Sequence, residues 1–328
     1  MATMEILPNY TVQGQLPSTG TPNHTQIIDS SDSTYVHVRT DQSGTDIYRM
    51  NAFCPALTIN SVSVKIRIKN TRSIGADVGT IALQAREVNG SYSAVLSQTI
   101  STPNGNINTL TYTMTTCPLT GTSWRPEDIL NCCERISLTL TNPGDYHTYV
   151  YRVWVEVDYD STSLCDYDVL VPIADYQGGS GTDYQKVDDA MWARDGDTFW
   201  GPSSSKDVFF TITPFNRKCY IERVSAIWNL FYSGSIGSPS STGLKILQSG
   251  TAYIGATFFT SGYYNRRFSY RIFDTNPYTG AKWKPPDLLQ TKIGAYFYKS
   301  AYGGFNSDVM YVIVYYRKRY PQSKACVV

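Results

Sequence analysis

The side chains able to do chemistry are few, and their spacing excludes most catalytic arrangements. Only three histidines occur, His24, His37 and His147, all in the first half of the 328 residues. No site that recurs in both halves can therefore hold an imidazole, whether as general base or as metal ligand. Each histidine is expected to be a surface or hydrogen-bond-satisfied residue. Seven cysteines, Cys54, Cys117, Cys132, Cys133, Cys165, Cys219 and Cys326, are odd in number and irregular in spacing. That pattern predicts buried thiols of a chain made in a reducing compartment rather than a disulfide scaffold. Cys132-Cys133 has no Cys-x-x-Cys partner, so zinc is not expected. Gly178-Gly179-Ser180-Gly181 lacks the Gly-Lys-Ser/Thr ending of a phosphate loop.

Two acidic clusters, Asp29/Asp32/Asp41 and Asp188/Asp189/Asp195/Asp197, flank candidate strands. They admit a calcium loop or a glycosidase carboxylate pair, but no regular oxygen-ligand spacing appears, and solvated loops are the expectation. The residues thus predict a non-enzymatic protein with no cofactor and no metal.

What the chain does contain is a repeated motif. Pro118-Leu119-Thr120-Gly121-Thr122-Ser123-Trp124-Arg125-Pro126-Glu127-Asp128 matches Pro277-Tyr278-Thr279-Gly280-Ala281-Lys282-Trp283-Lys284-Pro285-Pro286-Asp287, with the indoles 159 residues apart (283 − 124). Thr34-Tyr35 pairs with Thr198-Phe199, and Asp46-Ile47-Tyr48 with Asp207-Val208-Phe209, in the same order. Ordered matches at nearly constant offset predict a duplication. Gly121 and Gly280 permit a tight turn. Trp124 and Trp283 then fold a large ring over one end of a sandwich. Pro126 and Pro285 open a single helical turn, with Asp128 and Asp287 near its N-terminus. A plug is the expected role of both indoles, and an exposed carbohydrate platform is the alternative.

The elements that must position this motif read as strands. Ser61–Lys69 alternates strictly, with Val62, Val64, Ile66 and Ile68 inward and Lys65, Arg67 and Lys69 outward. Tyr149–Tyr159 alternates too, with Tyr151, Val153, Val155 and Val157 on one face. Trp154 interrupts the polar face, which marks a contact there, and Trp200 is a second candidate contact or glycan platform. No segment has a sustained helical period. The prediction is an all-β chain of two tandem jelly-roll-like β-sandwich domains. An extended N-terminal arm occupies 1–30, the first sandwich 31–160, a linker 161–181, the second sandwich 182–319 and a C-terminal tail 320–328. The segment Arg317-Lys318-Arg319 with Lys324 reads as a solubilising end.

Composition narrows the partners. Lys and Arg total 28 against 27 Asp and Glu, and charged residues are only 17% of the chain. This balance argues against general electrostatic binding to nucleic acid or acidic membranes. Twenty-six tyrosines favour contact faces, because Tyr supplies area at low entropic cost.

The run Asp29–Val36, then Asp46-Ile47-Tyr48-Arg49-Met50, the alternating strand 61–69, the Pro-x-Thr-Gly-x-x-Trp core and a Tyr-rich last strand resemble a domain of structural proteins of tailed bacteriophages. That resemblance implies a jelly-roll virion protein, in head decoration, fibre, neck or tail, made in the host cytoplasm. It implies contacts with other virion proteins, a homo-oligomer, and no catalytic residues. The alternative is a carbohydrate-binding module or a fibre domain recognising a host surface glycan.

Overall fold

The computed structural model describes residues 1–28, 31–39, 42–71, 76–86, 92–102, 105–141, 146–177, 183–188, 199–200, 206–234, 240–260, 268–297 and 303–318. The chain divides into two compact units, one ending at Leu164 and the other built on Cys165–Val328. Each unit is a two-sheet sandwich.

In the first, one sheet has the order β1 (Ala2–Ile6), β10 (Thr148–Tyr159), β5 (Ile59–Asn70), β8 (Ile107–Met114), and β3 (Val36–Val38) shares the β10 edge with β1. The facing sheet runs β2 (Pro8–Gln13), β4 (Ser43–Met50), β9 (Arg135–Thr141), β6 (Ala76–Arg86), β7 (Tyr92–Thr102). In the second unit the first sheet is β11 (Asp166–Leu170), β20 (Gly303–Lys318), β15 (Cys219–Gly234), β18 (Phe268–Phe273), with β13 (Phe199–Trp200) on β20. Its partner is β12 (Pro172–Gln177), β14 (Lys206–Ile212), β19 (Lys292–Phe297), β16 (Ser240–Gln248), β17 (Thr251–Thr260). The two orders are identical strand for strand. With β3 or β13 as the first strand, both are jelly rolls, in which antiparallel strands alternate between sheets.

Local irregularities repeat as well. In the β5–β10 ladder, Tyr151 and Asn60 are unpaired extra residues; in β15–β20, Asp308 and Glu222 are their counterparts. β2 bulges at Asn9 and Val12, and β12 at Ile173 and Tyr176. Bulges are specific features that bend a strand, so four of them at equivalent places carry the duplication further than residue identity does. The ladders also correct the sequence alignment by one residue. Pairing with β9 and β19 places Asp46 opposite Leu138 and Val208 opposite Ala295, so Val208, not Asp207, occupies the place of Asp46. Likewise Trp200 stands where His37 does, not Val36.

The alternation of Ser61–Lys69 places Val62, Val64, Ile66 and Ile68 in the core, packed with Ile81, Leu83, Ile136 and Leu138. Burying each such side chain contributes about 1.5–3 kcal/mol. On β10 the face differs from the prediction. The bulge at Tyr151 shifts the pleat, so Val150 takes the inward place beside Val153, Val155 and Val157.

The termini of the sandwiches differ most from expectation. Residues 1–30 are not a free arm in this structure. β1 hydrogen-bonds β10 and β2 hydrogen-bonds β4, one strand in each sheet. Asp46 explains why the chain between them and β3 is held. Its buried carboxylate accepts from the Gln15 and Leu16 amides (2.7 and 2.8 Å), Asn23 Nδ2 (2.8 Å) and the Tyr48 hydroxyl (2.6 Å). Ile27 is buried, and its carbonyl accepts from the Val153 amide at 3.0 Å. The segment 161–181, expected as linker, likewise contains β11 and β12, and the Val187 carbonyl accepts from Met310 at 2.9 Å. The Gly-rich stretch 178–181 and the tail 320–328 lie outside the described residues.

Candidate functional site

The duplicated tryptophans are interior. Trp124 is 2% exposed and Trp283 3%. Each indole Nε1 donates to a carbonyl at the end of the preceding strand, Met114 or Phe273, at 3.0 Å in both cases. The turn before each is closed by the same bonds. The Gly121 amide donates to Cys117 O and the Gly280 amide to Asn276 O, both at 2.8 Å, with φ of 68° at each glycine. That left-handed φ is one that glycine adopts without penalty. α1 (Pro126–Cys132) and α2 (Pro285–Leu289) follow. Asp128 accepts from the Arg125 amide at 3.0 Å and Asp287 from the Lys284 amide at 2.9 Å, each satisfying a donor at a helix start. The glycines, indoles and carboxylates of both motifs are thus engaged in hydrogen bonds within the loop, and neither buried indole offers a face to a ligand.

Trp154 is also covered. The Arg152 guanidinium lies 4.6 Å from its ring centroid and is held by Glu5, with the shorter bond 2.8 Å. For Trp200 the structure describes only the strand pairing, and its side chain lies outside the described residues. The acidic clusters do not form a described site. Asp32 is committed to Arg67 through two bonds of 2.8 Å, Asp188 makes a strand bridge to Val309, and Asp29, Asp41, Asp189, Asp195 and Asp197 fall outside the described residues. In the basic end, Arg317 pairs with Glu222 and Lys318 with Asp166.

A different aromatic surface forms on the outer face of the β3–β10–β5 sheet. In β3, Val36 and Val38 enter the core, which turns His37 outward. The antiparallel register sets His37 beside Tyr149, and the rings stack at 5.9 Å with 24° between planes. Tyr35 stands edge-on to three of its neighbours: Tyr149 (5.0 Å), His37 (5.6 Å) and Tyr151 (5.9 Å). His147 approaches Tyr149 at 6.2 Å. Edge-to-face and offset contacts of this kind contribute about 0.5–1.5 kcal/mol each beyond burial. Tyr35, Tyr149 and His147 remain half-buried, and the Arg67–Asp32 pair borders the cluster.

The polar atoms of the cluster are incompletely matched. Arg39 Nε donates to His37 Nε2 at 3.2 Å, which makes Nε2 the acceptor and assigns the proton to Nδ1. Nδ1 of His37 is buried, and the Pro17 carbonyl lies close enough to favour its proton; Nδ1 of His147 is buried without a hydrogen bond. Burial, the Arg39 charge and His147 together hold the His37 pKa below its ordinary value, so the ring stays neutral near pH 7. Burial, then the Asp32 charge, raises the pKa of the Tyr151 hydroxyl, which therefore remains a donor. The surface presents ring faces and hydroxyls, a set that can hold a ligand with apolar faces and hydroxyl acceptors. The His37 base position is already occupied by Arg39. The sequence does not single these residues out, because each histidine taken alone reads as a surface or hydrogen-bond-satisfied residue. Tyr35-Val36-His37 and His147-Thr148-Tyr149 do alternate, yet only the β3–β10 pairing shows that the two runs meet.

No family model and no curated protein matches the chain. Among solved structures, it is similar to the N-terminal CBM22-1–CBM22-2 tandem domain of Paenibacillus barcinonensis Xyn10C, with 10% identity over 93% of this chain and 92% of that one and a TM-score of 0.26. It is similar to PNGase F, a glycosylasparaginase from Flavobacterium meningosepticum, at 12% identity over 97% and 96% of the two chains, TM-score 0.27. A structure described as "CBM4 structure and function" matches 48% of this chain and 94% of its own at 14% identity, TM-score 0.26. None of these three is described as a bacteriophage protein. At such values the likenesses assign neither ligand nor activity, so the functional reading rests on the site itself.

Proposed function

We propose that this chain is a non-enzymatic binding protein that recognises a glycan through the outer aromatic face of its first sandwich. One observation carries the reading: three tyrosines and two imidazoles converge at the β3–β10 ladder, with Tyr35, Tyr149 and His147 half-buried on the outer face. Tyr rings supply the flat, amphipathic area on which the apolar face of a pyranose can lie. The second sandwich has Asn306 and Asp308 at the places of Tyr149 and Tyr151, so it does not reproduce the platform.

The test is a glycan array followed by titration of the strongest hit. Tyr149→Ala and Tyr35→Ala are expected to weaken binding at least about tenfold, the effect of losing one anchor worth roughly 1.4 kcal/mol, while the strand signature in circular dichroism is kept. An array with no hit, or a hit that both variants bind as well as the parent, overturns the reading.

A second reading, a structural protein of a tailed-phage virion, is favoured by a separate observation. Edge strands β2 and β12 expose Tyr10 and Val12 in the first sandwich and Ile173 and Tyr176 in the second, with Val12 and Tyr176 at equivalent places. Repeated apolar side chains on an edge suit contacts with other subunits. Light scattering of the purified chain, with all four residues changed to Ser as the control, separates this reading from a monomeric glycan binder.

A further inference from the structure

Three cysteines that the glycan reading does not use gather at the Trp124 loop. Cys117 begins the turn after β8, and Cys132 and Cys133 end α1. All three are buried. The Cys132 thiol lies 3.5 Å from Cys117 Sγ. The residues between them contain the whole Trp motif, and Cys117 O accepts the bond from Gly121 that closes the turn. The fold does not require a thiol here. In the second sandwich Asn276 accepts the equivalent Gly280 bond, and its side chain caps the turn by accepting from the Tyr278 amide at 2.9 Å. α2 also ends at Leu289, five residues long against seven for α1, so the end of the helix that carries Cys132 and Cys133 has no helical counterpart there.

We infer that Cys117 and Cys132 form a redox site that closes as a disulfide and locks the Trp124 loop to the end of β8. Two supporting features follow from the surroundings. The hydrogen bond from Cys132 favours the Cys117 thiolate and lowers its pKa to about 7, which makes Cys117 the attacking sulfur. The same bond and burial raise Cys132, and burial raises Cys133, so both remain thiols.

The oxidant is a peroxide, whose smallest member, hydrogen peroxide, is close to water in size. Cys117 thiolate attacks one peroxide oxygen, the O–O bond breaks, and a sulfenic acid and hydroxide result. The Cys132 sulfur then attacks the sulfenic sulfur, the S–O bond breaks, and the departing hydroxyl leaves as water with the Cys132 proton. Two thiols lose two electrons in all, and the peroxide is reduced to water.

The test treats the native full-length chain with hydrogen peroxide and reads intact mass, peptide map and melting. The expected result is loss of two hydrogen masses, a Cys117–Cys132 cross-linked peptide, and a rise of about 5 °C in the melting of the first sandwich. Dithiothreitol should reverse all three. Cys132→Ser should instead gain oxygen at Cys117, and Cys117→Asn, the residue the second sandwich uses, should show neither change. A linked Cys117–Cys133 peptide, or stepwise oxygen gain in the parent chain without a link, overturns the inference. The parent chain's peptide map decides the matter even if a variant fails to fold.

Discussion

The two sandwiches share strand order, bulges, turn bonds and the indole plug, yet they differ where a side chain enters the core beside β4 or β14. In the first, that place holds Asp46, fully buried among four uncharged donors, with Tyr48 two residues on. In the second it holds Val208, followed by Phe210, both in the apolar core. The pair at the 3-10 turn that precedes β3 or β13 is exchanged in the opposite sense. His24 donates its amide to the Thr11 hydroxyl at 2.9 Å, whereas Tyr184 donates to the Asp175 carboxylate at 2.7 Å. One backbone therefore accepts a carboxylate at either of two positions to pin the same incoming segment. Backbone pairing and the closed end define the jelly roll, and the polar fastening is interchangeable. Freed from that duty, the outer face of the first sheet of the first sandwich carries the tyrosine–histidine cluster, while the strand positions of His37, Tyr149 and Tyr151 hold Trp200, Asn306 and Asp308 in the second.

The largest effect that would sharpen this contrast comes from removing residues 1–30. The truncation deletes one strand from each sheet and three of the four donors to Asp46, so the first sandwich is expected to unfold while the second keeps its protection in hydrogen exchange. A truncated chain with native protection in both would break the account of the N-terminal segment.

Next in size is Asp46→Val, which imports the residue of the second sandwich. It leaves the Gln15 and Leu16 amides, Asn23 and Tyr48 with unmet donors, and a loss of about 3–5 kcal/mol in urea unfolding is expected for the first sandwich. Asp207→Ala in the second breaks a 2.6 Å pair with the largely covered Lys245, outside the apolar core, and should cost less, about 1.5–3 kcal/mol. Equal effects of the two changes would refute the distinction between them.

The smallest effect is a pH dependence confined to one half. His37 is held below the ordinary histidine pKa by burial, then by Arg39 and His147, and His24 by burial. A histidine whose folded pKa lies below its unfolded value of about 6.5 favours folding fully above that value. This contribution is lost as pH falls from about 6.5 toward the folded pKa, because the unfolded chain binds the proton more readily. Urea unfolding at about pH 7.5 and about pH 5 should show the first sandwich weakening on acidification. His37→Gln should reduce that loss, and the second sandwich, which has no histidine, should lack this component.

Much of the fold was legible because its signals are periodic or repeated. The alternation of Ser61–Lys69 determined β5 and its inward face, and the paired Pro-x-Thr-Gly-x-x-Trp motifs located both turns, both short helices and the duplication. Strands β1, β2, β11 and β12 were not legible. They are short, contain Pro8 and Pro172, and border sheets, where one unpaired edge tolerates proline and weak alternation. β7 escaped for a related reason: Tyr92–Thr102 is rich in Ser and Thr and pairs only with β6.

By itself, then, the sequence determined that this is a duplicated all-β chain, since hydrophobic period and glycine-dependent turns are properties of neighbours along the chain. Only the tertiary structure decided which side chains meet. Tyr35 and His37 are separated from His147, Tyr149 and Tyr151 by more than a hundred residues, and Cys117 meets Cys132 only because α1 brings the chain back to the turn that follows β8. The one-residue bulge at Tyr151 redirects the strand's face, and no local pattern announces it, because a bulge is set by the partner strand rather than by the residues that form it.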